Sequence, residues 1–178
     1  MKQLTLCKYA LLLLSVIAIL VGCTAPVVAP AATATMKPVP KKVATLPRPY
    51  DEQADPAQDI AAALKQAKAD NKRVLLDFGA NWCPDCLVLS RHFDNTQVKP
   101  FLDEHFVVVK IDVGKWDKNL DIAEEYGNPI KLGIPAVVVL DADGTQLAST
   151  ADGSLATAST TQAQDILAYL KQWAEIQP

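Results

Sequence analysis

Residues 51–178 predict an α/β domain with a central four-stranded mixed sheet flanked by helices. Three observations carry this expectation. Short Val-rich runs alternate with segments of helical period, in the order α-β-α-β-α-β-β-α. Asp141-Ala142-Asp143-Gly144, between two apolar runs, is a hairpin signal. At Asp51 the composition changes from a tract rich in Pro, Ala and Thr to that of a globular domain. Strands separated by helices are expected to run parallel, with the terminal hairpin adding an antiparallel edge.

Each element has its own local reason. Asp55-Pro56-Ala57-Gln58 places an N-cap, a proline at the first helical position and Gln three residues after the cap. The Ala-rich helix beyond it should reach about Ala69. Val74–Phe78 is a short apolar strand, and a helix should begin at Cys83. Asn95 and Pro100 interrupt that helix and set off a second short helical piece. Phe106–Asp112 is a second strand, and Lys118–Tyr126 a helix stopped by Gly127. Ala136–Leu140 and Thr145–Ser149 form the hairpin. Thr161–Glu175 closes the domain, with Ile166, Leu167, Leu170 and Trp173 at helical spacing.

Upstream of the domain the chain reads differently. Residues 1–22 hold Lys2 and Lys8, then an apolar stretch from Ala10 to Val21 interrupted only by Ser15. That stretch is shorter than the ~20 residues a membrane-crossing helix needs, and it has the form of a secretory signal. It ends in Leu20-Val21-Gly22-Cys23, which resembles the lipobox of bacterial lipoproteins. The resemblance implies cleavage before Cys23 and acylation (palmitate among the chains) of its thiol, giving a membrane anchor; an uncleaved anchor or a plain signal peptide are the alternatives. Thr24, where an inner-membrane retention signal would show Asp, points to the outer membrane and a periplasm-facing envelope location. Residues 24–50 contain six of the twelve prolines and no acidic residue, and are expected to be an extended linker with a charge of +4. That charge suits anionic head groups, and equally a soluble spacer.

From Asp51 onward there are 11 Lys and Arg against 20 Asp and Glu, a net charge of −9. Such an acidic domain is a poor nucleic-acid binder, since displacing counterions requires basic patches. No internal repeat and no GxGxxG are present, so nothing points to a flavin or nicotinamide cofactor. Of four cysteines, Cys7 leaves with the signal and Cys23 is consumed by lipid, which leaves Cys83 and Cys86. A two-residue spacer closes too small a loop to staple a fold, so the pair is read as chemical.

Val74-Leu75-Leu76-Asp77-Phe78-Gly79-Ala80-Asn81-Trp82-Cys83-Pro84-Asp85-Cys86 resembles the active-site segment of the thioredoxin superfamily. It is most similar to thioredoxin-like periplasmic domains such as the C-terminal domain of the reductant transporter DsbD. Element order and a later Gly133-Ile134-Pro135 extend the resemblance over about 65–178. It implies a thioredoxin-like fold and a thiol–disulfide oxidoreductase whose only redox group is the Cys83–Cys86 disulfide.

Physical chemistry accompanies that match. A cysteine between strand and helix meets unpaired amides and the positive end of the helix dipole, which stabilise a thiolate. Cys83 is therefore the expected nucleophile, and Cys86, one turn on, the resolving thiol. Pro84 fixes the first turn without losing a hydrogen bond. Asp85 should partly oppose thiolate formation, or simply stabilise the helix start. The resemblance implies that Asp77 is buried and accepts the proton of the second cysteine; the alternative is a solvated strand end. It also implies a cis Ile134–Pro135 bond beside the disulfide, where the backbone of Ile134 pairs with an extended substrate. Trp82 would cover one side of the thiols or simply pack, and Trp116 reads as a packing residue or, alternatively, as part of a loop near the site. The sequence departs from thioredoxin at Gly79, which replaces a tryptophan and should open that side of the site, and in its CPDC motif, whose inner dipeptide tunes the potential.

The preferred reading is a reductase of disulfides in exported proteins, supplied with electrons by a membrane donor of the DsbD type. Two alternatives stand beside it. One is a zinc or copper carrier using Cys83, Cys86, His92 and His105. His92 falls on a different helix face from Cys86, and His105 at the far end of a strand, so a closed four-ligand site is not expected. The other is an envelope assembly factor in which the fold offers a groove and redox is secondary. Isomerase activity has no support in the sequence, which shows no dimerisation domain.

Overall fold

Asp55 opens the first helix as expected: its carboxylate accepts the Gln58 N–H at 3.2 Å. The computed structural model describes residues 48–177. The predicted signal 1–22, Cys23 and the linker up to residue 47 lie outside the described residues. Helix α1 (Pro56–Asp70) ends at Asn71, whose left-handed φ of 54° turns the chain into the sheet. Its buried stripe is Ile60, Ala63 and Ala67, small enough to let the helix lie close to the strands.

The sheet has four strands in the order β2-β1-β3-β4. β1 (Arg73–Gly79) is central and buried on both faces, which explains why Val74–Phe78 lacks a clean polar alternation. β2 (Phe106–Asp112) pairs with it in parallel, Arg73 opposite Phe106 and Gly79 opposite Asp112. The crossover between them carries α2 (Pro84–Phe93) and α3 (Lys99–His105).

The expectation of parallel pairing fails for the third strand. β3 (Ala136–Leu140) runs antiparallel to β1, with Phe78 opposite Ala136 and Val74 opposite Leu140. β2 ends opposite Gly79 and β3 begins opposite Phe78, so the connection returns the chain to the end of the sheet it left. It carries α4 (Leu120–Glu125), which begins after Asn119 and is shorter than the Lys118–Tyr126 reading. A strand that starts at that end must run back along β1. β4 (Gln146–Ser149) completes the antiparallel hairpin at the edge.

Side chains alternate across the sheet, so it packs two apolar layers. Val74, Leu76 and Phe78 meet α1, with Val109 and Ile111 from β2 and Val138 from β3. Leu75, Val137 and Val139 meet Leu89 and Phe93 of α2, together with α5 (Ala163–Glu175), which buries Ile166, Leu170 and Trp173. The segment between β4 and α5 has no regular pattern in sequence, yet it buries Leu155 and Ala158 and forms a single helical turn at Ala158–Thr160.

One residue assigned by composition to the solvated linker is in the core. Tyr50 is 1% exposed and packs in the same buried cluster as Phe78 and Ala80. Its aromatic ring gains more from burial than from a solvated linker, so the domain starts at least one residue earlier than the change in charge indicates.

Candidate active site

The site lies where β1 and β2 end and β3 begins. Strand β1 stops at Gly79, and Cys83 comes next as the N-cap of α2 with extended backbone, φ −85° and ψ 114°. Pro84 occupies the first helical position. Cys83 and Cys86 are joined as a disulfide with Cα atoms 5.3 Å apart. The Cys86 backbone N–H donates to Cys83 Sγ at 3.2 Å. Once reduced, Cys83 has this donor and the helix dipole to hold its negative charge. Cys83 is 4% exposed and Cys86 fully buried, so an incoming disulfide meets Cys83 first.

Ile134 and Pro135 lie directly against the pair. Their peptide bond is cis, and Cys83 Sγ sits 3.6 Å from the Ile134 carbonyl oxygen. Gly133 before them has φ 129°, a backbone state that side chains rarely adopt.

Asp77 is completely buried in the centre of β1. Burial pushes its carboxyl above the ordinary carboxylate range, opposed by the nearby Lys110 charge and by hydrogen bonding from Tyr50. Lys110 Nζ, from β2, is 3.6 Å from Asp77 Oδ2 and donates to Ser90 Oγ of α2 at 2.8 Å. The Tyr50 hydroxyl is 3.1 Å from both Asp77 carboxylate oxygens and donates its one proton between them. Burial and the Asp77 charge push the Tyr50 phenol well above its ordinary value, so it stays neutral and remains a donor.

Tyr50 also corrects the expectation about Gly79. Instead of an opening, the Tyr50 ring and hydroxyl occupy the space a side chain would take, and a Cβ on Gly79 would collide with both. Asn81 holds Tyr50 there from both sides of its backbone: it accepts the Tyr50 N–H at 3.1 Å and donates to the Tyr50 carbonyl at 2.7 Å.

The tryptophans form the outer wall. Trp82 is 51% exposed, and its indole N–H donates to the Gly114 carbonyl at 2.6 Å, turning the ring toward that loop. Trp116, read from sequence as a packing residue, is 44% exposed with its ring centroid 6.5 Å from that of Trp82. A cleft of about 500 Å³ opens beside Trp82, walled by Asn81, Asp112, Lys115 and Lys118. The Asp85 carboxylate accepts the Ser159 N–H at 2.8 Å and ties the segment before α5 to α2.

The histidines lie apart. His92 Nε2 is 3.1 Å from the Thr161 carbonyl, and His105 stacks on Phe101 with centroids 4.2 Å apart, at the opposite end of the sheet. Sequence reasoning passed over Tyr50, Lys110, Ser90 and Asn81. Lys110 had a legible signal, a single cation inside the Val-rich run Phe106–Ile111. Tyr50 had none, since its partner is 27 residues away.

Residues 55–142 match a family model described as thioredoxin-like. A solved structure of the disulphide isomerase from Xylella fastidiosa Temecula1 is 43% identical, with a TM-score of 0.71, covering 74% of this chain and 100% of that one. The oxidised C-terminal domain of Neisseria meningitidis DsbD is 26% identical with a TM-score of 0.51, covering 67% and 96% of the two chains. Anterior gradient protein 2-B of Xenopus laevis is 32% identical over 106 residues, which is 58% of this chain. The alignment spans 65% of that protein's length, just under two thirds.

Proposed function

The chain belongs to the thioredoxin-like family, and on that premise we propose that it is a disulfide reductase of exported proteins, with Cys83 attacking and Cys86 resolving. The observation that carries this reading is the position of Cys83 Sγ: capping α2, within 3.2 Å of the Cys86 N–H and 3.6 Å from the Ile134 carbonyl. A nucleophilic thiolate thus sits beside backbone that an extended substrate segment pairs with.

The steps balance as a two-electron exchange. The Cys83 thiolate attacks one sulfur of the substrate disulfide, that S–S bond breaks, and the far sulfur leaves as thiolate and takes a proton from water. Asp77 accepts the Cys86 proton. Cys86 attacks Cys83 Sγ, and the second substrate sulfur leaves. The substrate is reduced to a dithiol and the protein oxidised to the Cys83–Cys86 disulfide. A fresh reductant must then restore the dithiol, and a membrane donor of the DsbD type suits that role. No organic cofactor enters the cycle. Trp82 and Ile134–Pro135 hold the substrate, while Pro84 and Asp85 tune the pair. Lipidation at Cys23 and a tether ending before Tyr50 would place the domain in the periplasm, at the outer membrane.

A second reading, isomerase, is favoured by the name of the Xylella relative. Isomerisation uses the same attack by Cys83 but releases a rearranged substrate before Cys86 resolves. Equilibrating the pair against defined thiol buffers tests direction: a potential near ~−270 mV supports a reductant, and one near ~−120 mV an oxidant. Incubation with a scrambled, multiply disulfide-bonded protein separates the other two. Recovery of native pairing without a stoichiometric reductant supports the isomerase. Anchoring is tested by palmitate labelling and membrane fractionation, both of which Cys23→Ser should abolish.

A further inference from the structure

The Asp77 carboxylate is surrounded by groups from three parts of the chain. Lys110 approaches from β2, and the Tyr50 hydroxyl from the segment before α1. Cys86 of α2 belongs to the same buried cluster as Tyr50, Phe78 and Ala80. Asp112, at the end of β2, adds a negative charge that, after burial and Asp77, also favours the neutral Tyr50 phenol. Tyr50 is the one member of this set that lies outside the sheet and the motif helix, and it is locked there by two hydrogen bonds to Asn81. Its ring stands where Gly79 lacks a side chain.

We infer that Tyr50 is a positioning residue of the thiol–disulfide chemistry: an aromatic from the segment before α1 fills the volume left by Gly79 and holds the Asp77 carboxylate by its hydroxyl, setting the readiness with which Asp77 takes the Cys86 proton. The inference rests on the reading of Asp77 as that proton acceptor. Its logic is complementarity across the sequence. A glycine in the strand leaves a hole over a buried carboxylate, and the hole would admit water or leave the carboxylate under-bonded. Tyr50 closes the hole with hydrocarbon and brings a donor to the ion. The phenol remains protonated through the working pH range, so it donates and does not compete for the proton.

The hydroxyl's effect has a definite sign. A hydrogen bond to the charged form of an acid favours that form. Removing the hydroxyl while keeping the ring, as in Tyr50→Phe, therefore makes Asp77 harder to ionise. The resolving step then needs a higher pH to reach the same rate. A loss of one such bond should move the acidic limb by about one pH unit and slow resolution at neutral pH by roughly three- to tenfold.

The test uses the full chain in mild detergent, reduced and mixed in a stopped-flow instrument with an aromatic disulfide, dithiobis-nitrobenzoate. Attack by Cys83 releases one coloured thiolate, and resolution by Cys86 releases the second, so the two steps read separately. The expected result is an unchanged first phase in Tyr50→Phe and a second phase whose pH profile moves to higher pH. Asn81→Ala, which frees the Tyr50 backbone, should move it the same way by less. In an Asp77→Asn background, Tyr50→Phe should have no further effect on the second phase.

Three results overturn the inference. A second phase unmoved by Tyr50→Phe while Asp77→Asn slows it shows that Tyr50 merely packs, and leaves the Asp77 reading standing. An equal loss from Tyr50→Phe with or without Asp77 shows that Tyr50 acts elsewhere. If Asp77→Asn itself leaves the second phase unchanged, both the inference and the Asp77 reading fail. A melting temperature lowered by Tyr50→Phe with both pH profiles intact counts with the first of these.

Discussion

The two faces of β1 are built from adjacent residues and differ in what they bury. On one face Val74, Leu76 and Phe78 are all hydrocarbon and meet Ile60, Ala63 and Ala67 of α1, in a cluster that also takes in Tyr50, Cys83 and Cys86. On the other, Leu75 packs with Leu89 and α5, while Asp77 and Gly79 follow it, with Lys110 from β2 and Ser90 from α2 placed near the carboxylate. Both faces close the domain, but only the second takes a buried carboxylate, a cation and a missing side chain into its layer. The difference arises in a single step along the strand, because consecutive side chains point to opposite sides.

The thiol chemistry is easier to abolish outright than either apolar layer. Cys83→Ser should reduce disulfide exchange to background while leaving thermal unfolding close to that of the reduced parent. Phe78→Ala tests the hydrocarbon packing of β1. It should cost about 3–5 kcal/mol in denaturant unfolding, with exchange per folded molecule preserved. If it also abolished exchange in the folded protein, the packing around Phe78 would be part of what positions Cys83 and Cys86, which share its cluster.

Varying the pH probes what the buried carboxylate costs its face. Because burial raises the Asp77 carboxyl above its unfolded value, the folded state holds its proton more tightly. Asp77 is thus least costly to the fold below the ordinary carboxylate value of ~3.9, and stability falls as pH rises through the folded value. Asp77→Asn should therefore gain stability relative to the parent as pH increases toward neutrality, and the difference should vanish in acid. Urea midpoints for both proteins across pH check it. A parent more stable than Asp77→Asn at neutral pH would mean that Lys110 and Tyr50 more than offset the burial cost. The smallest effect belongs to Asp85→Ala. It removes the acceptor of the Ser159 N–H and should cost about 0.5–1.5 kcal/mol, read from the same midpoints.

The layout of the fold was largely legible because its signals are local. Asp55 with Pro56 and Gln58 marks a helix start within four residues. The apolar runs at Val74–Phe78, Phe106–Asp112 and Ala136–Leu140 correspond to strands. The disulfide partners sit three positions apart, a separation a helix turn brings together. The direction of β3 was not legible from alternation of elements, because it depends on which end of the sheet the 113–135 connection returns to. The sequence places Asp85 between the thiols and at a helix start, but gives no sign of its bond to Ser159, 74 residues on.

Local sequence was enough for the α/β class, the helix caps, the positions of the strands and the spacing of Cys83 and Cys86. These rest on backbone periodicity and on groups a few residues apart, whose interactions hardly depend on the rest of the chain. Only the assembled fold established that Tyr50 fills the gap at Gly79, that Lys110 and Ser90 join Asp77, and that β3 runs backward. Lys110 and Ser90 are 20 positions apart and Tyr50 and Asp77 are 27 apart, and each pair meets through packing that exists only once the sheet is formed. No local pattern encodes which distant side chain will occupy a given hole in a close-packed interior.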